Sequence, residues 1–323
     1  VDVVSDAIAV VHLGHPWSHR VRAGGQWCVR VEPYRGAGFY VVVEGDCWLL
    51  SNGGARIHLT VGDAVLLPHG AGHLIANYPV DSAVTGHDAV PLERLLAEAD
   101  RSVQTEGEAE VLCAKYWLDC SRMHPLMKEL PEVVHLPQRV GRHVELGAAI
   151  DLLSGELDER KPGSCIALPN LLDLVLIYTI RSWMSQATCG TWPGALGDSV
   201  TAAALRALHA NPAAPWSNDR LAAAAGVSRP TLARRFTALV GRPPMAYLTW
   251  WRLILAANLL RNTADTLSAV AGQVGYGSPY ALSHAFAREF GVTPGRYRAQ
   301  TAEQSSAESG QSVGMARFSS ASS

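Results

Sequence analysis

Apolar positions in the first quarter of the chain come in short runs broken by Gly, Pro and Asn: Gln26–Pro33, Gly38–Glu44, Cys47–Ser51 and Ala64–Leu67. Closely spaced runs rich in Val, Leu, Trp and Tyr predict an all-β sandwich or barrel. The Gly53-Gly54 pair predicts a hairpin turn joining Cys47–Ser51 to Arg56–Thr60. Residues 91–110 are acidic and polar and are expected to form an exposed excursion, and strand-like sequence resumes at Val111–Leu118. From Val140 the period changes. Val144–Leu157 and Leu168–Met184 carry apolar residues near helical spacing. Such a helix pair serves either as a domain's own core or as a dimer seam.

Segment 189–197 (CGTWPGALG) is turn-rich and predicts a linker. Beyond it, 198–298 reads as helical nearly throughout. In Ser217–Gly241, Ser217 caps a first helix, Gly226 makes a turn, and Ser228 with Pro230 opens a second helix. Small residues Ala222 and Ala225 allow the close crossing that a helix-turn-helix needs. Leu232, Phe236 and Leu239 form the inner face, which leaves Arg229, Thr231, Arg234 and Arg235 mainly off it. Arginines near a helix's N-terminal half suit a major groove. The pattern recurs some 50 residues later. Leu267–Val274 is followed by Gly275-Tyr276-Gly277, then Ser278-Pro279 opens a helix with Leu282, Phe286 and Phe290 inward. Pro244–Leu260 predicts a long apolar helix holding the two units apart. Residues 299–323, dominated by Ser, Ala, Gln and Gly, predict a disordered tail.

Segments 221–260 (LAAAAGVSRPTLARRFTALVGRPPMAYLTWWRLILAANLL) and 270–298 (VAGQVGYGSPYALSHAFAREFGVTPGRYR) resemble the AraC/XylS family of bacterial transcription regulators. The resemblance covers roughly Asp198 to Arg298. It implies base-facing roles for Pro230, Ala233 and Arg234, with Arg229 and Thr231 near the backbone. In the second unit it implies Pro279, Tyr280, Ser283 and His284. The family usually has a basic residue where His284 stands and Phe where Leu282 stands. The resemblance further implies promoter DNA and RNA polymerase as partners, a homodimer, and activation rather than repression. Arg206, Arg252 and Arg261 are candidates for phosphate or for surface salt bridges.

Gly62–Asn77 (GDAVLLPHGAGHLIAN) fits G-x5-P-x-G-x2-H-x3-N, which resembles the second conserved motif of the cupin superfamily. The expected fold class is therefore a two-domain α+β chain. Residues 1–188 would form a cupin-like sensor and dimerisation domain, with its barrel at about 1–137 and helices at about 140–188. Residues 198–298 would be an all-α double helix-turn-helix domain. His73 stands where cupin enzymes place a metal ligand. The counterpart of the first motif, Gly36–Trp48, has no histidine and only Glu44 as a suitable donor. One or two ligands do not make a transition-metal centre, so neither metal nor cofactor is expected. A cupin-type metal enzyme with a helical appendage remains the alternative function.

Two kinds of signal fit the first domain. One is a small organic ligand in the barrel, lined by Trp27, Phe39, Tyr40, Trp48 and His73, with His69, four residues before His73, a further sensor candidate. The other is an oxidant acting on Cys113, beside Lys115, or on Cys120, beside Arg122. The six cysteines include no CxxC pair and read as reduced thiols. No secretory pattern is visible, and the apolar run Leu171–Ile180 is broken by Asp173. A cytoplasmic protein without a membrane partner is expected.

Charge changes the picture only when divided. The whole chain carries −2, which taken alone disfavours a nucleic-acid binder. Residues 1–197 have 15 Lys/Arg against 23 Asp/Glu, and 198–298 have 11 against 4. The first balance is −8 and the second +7. All 11 basic residues of the second region are Arg. An acidic sensor joined to a basic reader predicts DNA binding that weakens steeply with salt.

Overall fold

The structure is a computed structural model. It describes residues 2–10, 12–79, 89–92, 109–118, 123–138, 143–159, 161–187 and 191–302. The acidic stretch 93–108, Cys120 and the tail from 303 lie outside the described residues. The chain divides into two compact units: His12–Ala187, and Val1–Val11 together with Thr188–Ser323.

The first unit is two facing sheets. Strands β1 (His12–Ala23), β2 (Cys28–Val31), β3 (Gly36–Glu44), β4 (Asp46–Ser51), β5 (Arg56–Thr60), β6 (Ala64–Leu67), β7 (His73–Ala76), β8 (Val90–Pro91), β9 (Ala109–Leu118) and β10 (Val134–Leu136) follow in chain order. They pair as β1-β9-β3-β6-β10 and β5-β4-β7-β2-β8. The expected closed barrel is not found: no ladder among the described residues joins the two sheets. They are held by side chains instead. Val21, Val42, Val65, Leu67 and Val111 from one sheet meet Val29, Val31, Leu49, Leu59 and Ile75 from the other. Alternate residues along each strand face inward, so each contributes every second side chain.

The β4–β5 hairpin forms with Gly54 at φ +84°, and its Ser51 N–H donates to the Ala55 carbonyl over 3.0 Å. Buried Asp63 secures the next corner, accepting from the backbone N–H groups of Thr60 and Gln138 at 3.0 and 2.8 Å. At the far end of β9, buried Glu110 pairs with Arg20 and Arg22 of β1.

A short helix α2 (Pro125–Glu129) precedes β10; α3 (Val144–Glu159) and α4 (Ser164–Gln186) follow it. Helix α4 is long and apolar enough to cross a membrane by length and composition, although Asp173 interrupts its apolar run. Its Leu172, Val175, Leu176, Thr179 and Ile180 are buried on one face. The Tyr116 hydroxyl of β9 donates to the Leu172 carbonyl over 2.6 Å. The face is docked as a domain helix docks.

The second unit is helical. It contains α1 (Val3–Ala9), α5 (Thr191–Gly197), α6 (Ser199–Ala210), α7 (Asn218–Ala224), α8 (Arg229–Val240), α9 (Pro244–Asn262), α10 (Leu267–Gln273), α11 (Pro279–Phe290) and α12 (294–302). Two expectations are corrected here. The stretch read as a linker is largely helix α5, with Trp192 and Ala195 buried. Its apparent breakers fit the helix: Pro193 sits in the first turn, where a missing N–H costs nothing, and a Cβ on Gly194 would lie 3.5 Å from the Leu239 side chain, so the glycine stands close under α8. The first residues do not belong to the sheet domain. Val3, Ala7 and Ile8 are buried, and Asp6 accepts from His209 of α6 over 2.7 Å.

Candidate nucleic-acid interface

The first helix-turn-helix is α7 and α8. The Ser217 hydroxyl caps α7 by accepting from the Arg220 N–H at 3.2 Å, and Gly226 turns the chain at φ +68°. Helix α8 buries Leu232, Phe236 and Val240, with Leu239 only half-buried. Ser228 stands at its N-cap and shares a 2.9 Å hydrogen bond with the Thr231 hydroxyl. Arg229, Pro230, Ala233, Arg234 and Arg235 are exposed, and Thr231 is half-buried. Arg229 lies 3.5 Å from Asp219, and Arg235 lies 3.2 Å from Asp198. The hydrogen bond from the Thr201 N–H, ahead of the Arg235 charge, holds the Asp198 carboxyl below the usual range.

The second unit is α10 and α11. Thr266 caps α10, and Ser278 caps α11 by accepting from the Ala281 N–H at 3.1 Å. Gly275 has φ +81°, and a Cβ there would lie 2.7 Å from the Ala213 Cα, so glycine is required twice over. Leu282 and Phe286 are buried; Phe290 stacks on Phe286 with centroids 4.1 Å apart. Pro279 and His284 are exposed, Ser278 and Ser283 half-buried, and Tyr280 is 81% exposed.

Helix α9 serves both cores. Tyr247 near its start meets Phe236 edge-on at 5.7 Å, while Leu253, Ala256, Ala257 and Leu260 near its end pack on Val270, Leu282 and Phe286. Two of the three flanking arginines are spent on structure. Arg252 donates to the carbonyls of Pro212 and Ala214 at 2.7 and 2.8 Å, and Arg261 donates to the Tyr297 hydroxyl at 2.7 Å. Arg206 stays exposed. Sequence reasoning passed over Arg288 and Arg296, which are exposed and form no ion pair among the described residues. Their isolation in the sequence gave no signal.

The sheet domain answers the sensor expectations differently. Tyr40 and His73 are buried together: the Tyr40 hydroxyl donates to His73 Nε2 over 2.7 Å, and His73 Nδ1 donates to the Ala71 carbonyl over 2.9 Å. Burial pushes the His73 imidazole down to about 4 and the Tyr40 hydroxyl well up. Trp27 is part of the same core. Trp48 is not. It points away from that core and stacks on His58 at 4.6 Å, whose Nε2 meets Asp46 over 2.6 Å. His69 is exposed, with its Nε2 bonded to the Leu130 carbonyl at 2.8 Å, so it does not converge with His73. The reading of Cys113 as a reactive thiol is overturned. Cys113 is buried, its thiol donates to the His19 carbonyl at 3.4 Å, and burial drives it up to about 12 despite Lys115.

A cupin metal does not fit these donors. Both ring nitrogens of His73 already have partners, Glu44 is exposed at the end of β3, and no three His, Cys, Asp or Glu side chains among the described residues come together.

Two capped helix-turn-helix units on one shared helix, in a chain with a separate two-sheet domain, define a DNA-binding transcription regulator. Residues 2–185 match the family model described as cupin, and residues 221–300 match one described as a helix-turn-helix domain. An AraC-like transcription regulator of Streptomyces lividans is 33% identical over 92% of this chain and 98% of its own. One from Streptomyces antibioticus is 32% identical over the same shares. The RCS-specific HTH-type transcriptional activator RclR of Escherichia coli is 26% identical over 88% of this chain and 89% of its own. The chain belongs to the AraC-like transcription regulators with an N-terminal cupin domain.

Proposed function

We propose that the protein reads promoter DNA with α8 and α11 and that its sheet domain, with α3 and α4, receives the controlling signal. The observation that carries the reading is the exposure of Arg229, Pro230, Ala233, Arg234 and Arg235 on one helix and of Pro279, Tyr280 and His284 on the other. Both helices begin at a serine N-cap with a proline in the first turn, and both are anchored to one helix, α9. Guanidinium groups at the start of a helix can bind guanine bidentately, while Ser228, Thr231, Ser278 and Ser283 suit phosphate or base edges. The E. coli relative's name includes activation, which supports recruitment of RNA polymerase as the output. A homodimer is supported by Val144, Leu152, Ile166 and Leu174, large apolar side chains left exposed on α3 and α4. Such a protein works in the cytoplasm.

The test is selection of duplexes from a random pool by the full chain, followed by affinity measurement across a salt series. A recovered motif with two short conserved blocks, bound more weakly as salt rises, is the expected result. Recovery of no motif, with equal binding to all duplexes, would overturn sequence-specific reading.

A further inference from the structure

Where α3 meets the second half of α4 there is an open cleft of about 300 Å³, at the small end of ligand sites. It lies wholly within the sheet domain and far in sequence from the Tyr40–His73 core. Glu145 and Leu146 of the first turn of α3, and Tyr178 and Arg181 of α4, line it together with His143. His143, immediately before α3, is the one described non-glycine residue at positive φ, +56°. Its Nε2 accepts from the Gln186 amide at 2.8 Å, which leaves Nδ1 as its protonated nitrogen.

The lining carries both signs of charge. It holds one cation and one anion, yet neither Arg181 nor Glu145 forms an ion pair among the described residues. Arg181 instead lies over the Tyr178 ring, 5.8 Å from its centroid. Opposite charges in one cleft that do not meet each other can each meet a charge on a guest. The guest would need a carboxylate for the guanidinium and a protonated amine for Glu145. The half-buried Tyr178 ring offers apolar surface to the rest of it.

We propose that this cleft binds a small zwitterion, a free amino acid or a molecule with the same two charged groups, as the regulator's effector. The word effector rests on the regulatory reading above; the binding does not. The test is calorimetric titration of the full chain with each protein amino acid in turn. The tightest binder is then compared with its decarboxylated amine and its deaminated acid. One or more amino acids should bind, and both truncated counterparts should bind about tenfold more weakly or worse. Arg181→Gln and Glu145→Gln should each weaken binding similarly, with melting temperature confirming that both variants fold. Three results would overturn the proposal: no amino acid binds at millimolar concentration, a truncated counterpart binds as tightly, or folded Arg181→Gln binds unchanged. DNA affinity of the same preparation without ligand is measured separately, so failure of the ligand site and failure of DNA reading are distinguishable.

Discussion

The Tyr40 hydroxyl and the His73 Nε2, 33 residues apart, meet at 2.7 Å inside the sandwich. The Ala71 carbonyl takes the proton on Nδ1, so Nε2 is free to accept and the ring is held neutral. Burial lowers the imidazole to about 4 against its ordinary 6.5. Between those values the unfolded chain binds a proton that the folded chain refuses. Stability contributed by this residue is therefore complete above pH 6.5 and declines as pH falls toward 4, by roughly 3 kcal/mol in all. Denaturant titration of the sheet domain's transition across that range should show the slope. His73→Asn should remove much of it, and an unchanged slope would assign the acid lability elsewhere.

The same pair makes a prediction that does not depend on pH. Tyr40→Phe keeps the ring and deletes the hydroxyl that donates to this buried acceptor. Leaving that nitrogen unpaired should cost about 1–3 kcal/mol. Equal stability of the variant and the parent would mean that water replaces the hydroxyl.

Thiol chemistry should follow burial. Cys28, Cys47 and Cys113 are buried, and burial drives the last two up to about 12; Cys165 is exposed. A maleimide should label Cys165 in the native protein and reach those three only on unfolding. Rapid native labelling of Cys113 would restore it as a sensor.

His209 joins three helices. Its Nδ1 meets Asp6 of α1 and its Nε2 the Tyr247 hydroxyl of α9, each at 2.7 Å, and its ring lies 4.5 Å from that of Trp251. His209→Ala should destabilise the helical unit by about 2–4 kcal/mol through lost packing and two stranded polar groups. Asp6→Asn, on the more exposed side, should cost about 1 kcal/mol. Equal losses in the two variants would show that the contact to α1 dominates.

Much of this was legible from spacing. Arg56–Thr60 and Ala64–Leu67 are strands as read, and both helix-turn-helix units sit where Gly226 and Gly275 place them. These features are local: alternation, a cap, a residue that tolerates positive φ. The failures are tertiary. Trp192 and Pro193 looked like linker because nothing local shows that Trp192 is buried against a partner. Trp48 and Tyr40 look alike in sequence, but strand register puts one outside and one inside. Cys113 and Lys115 suggested a thiolate, and being two apart on β9 they do share a face, but Cys113 lies buried in the core while the Lys115 amine reaches over the Tyr34 ring. Burial of the thiol outweighs the nearby ammonium, and burial is set by tertiary packing that a sequence neighbour does not reveal.

Arg234 is the sharpest test of the DNA-reading face. It is exposed on α8, nearly two turns after the Ser228 cap, and no described carboxylate pairs with it, unlike Arg229 and Arg235. Its guanidinium is therefore available without breaking a contact. Arg234→Ala should cost about 1–3 kcal/mol of specific binding and relax preference at one base position, with little change in stability. Arg235→Ala gives the contrast. It removes a charge partly satisfied by Asp198, so it should weaken binding to all duplexes alike and reduce the slope of affinity with salt. Competition binding with single-base variants of the selected motif, repeated at several salt concentrations, separates the two effects. If Arg234→Ala lowers affinity uniformly and leaves every base preference intact, Arg234 holds phosphate and the base-reading face lies further along α8.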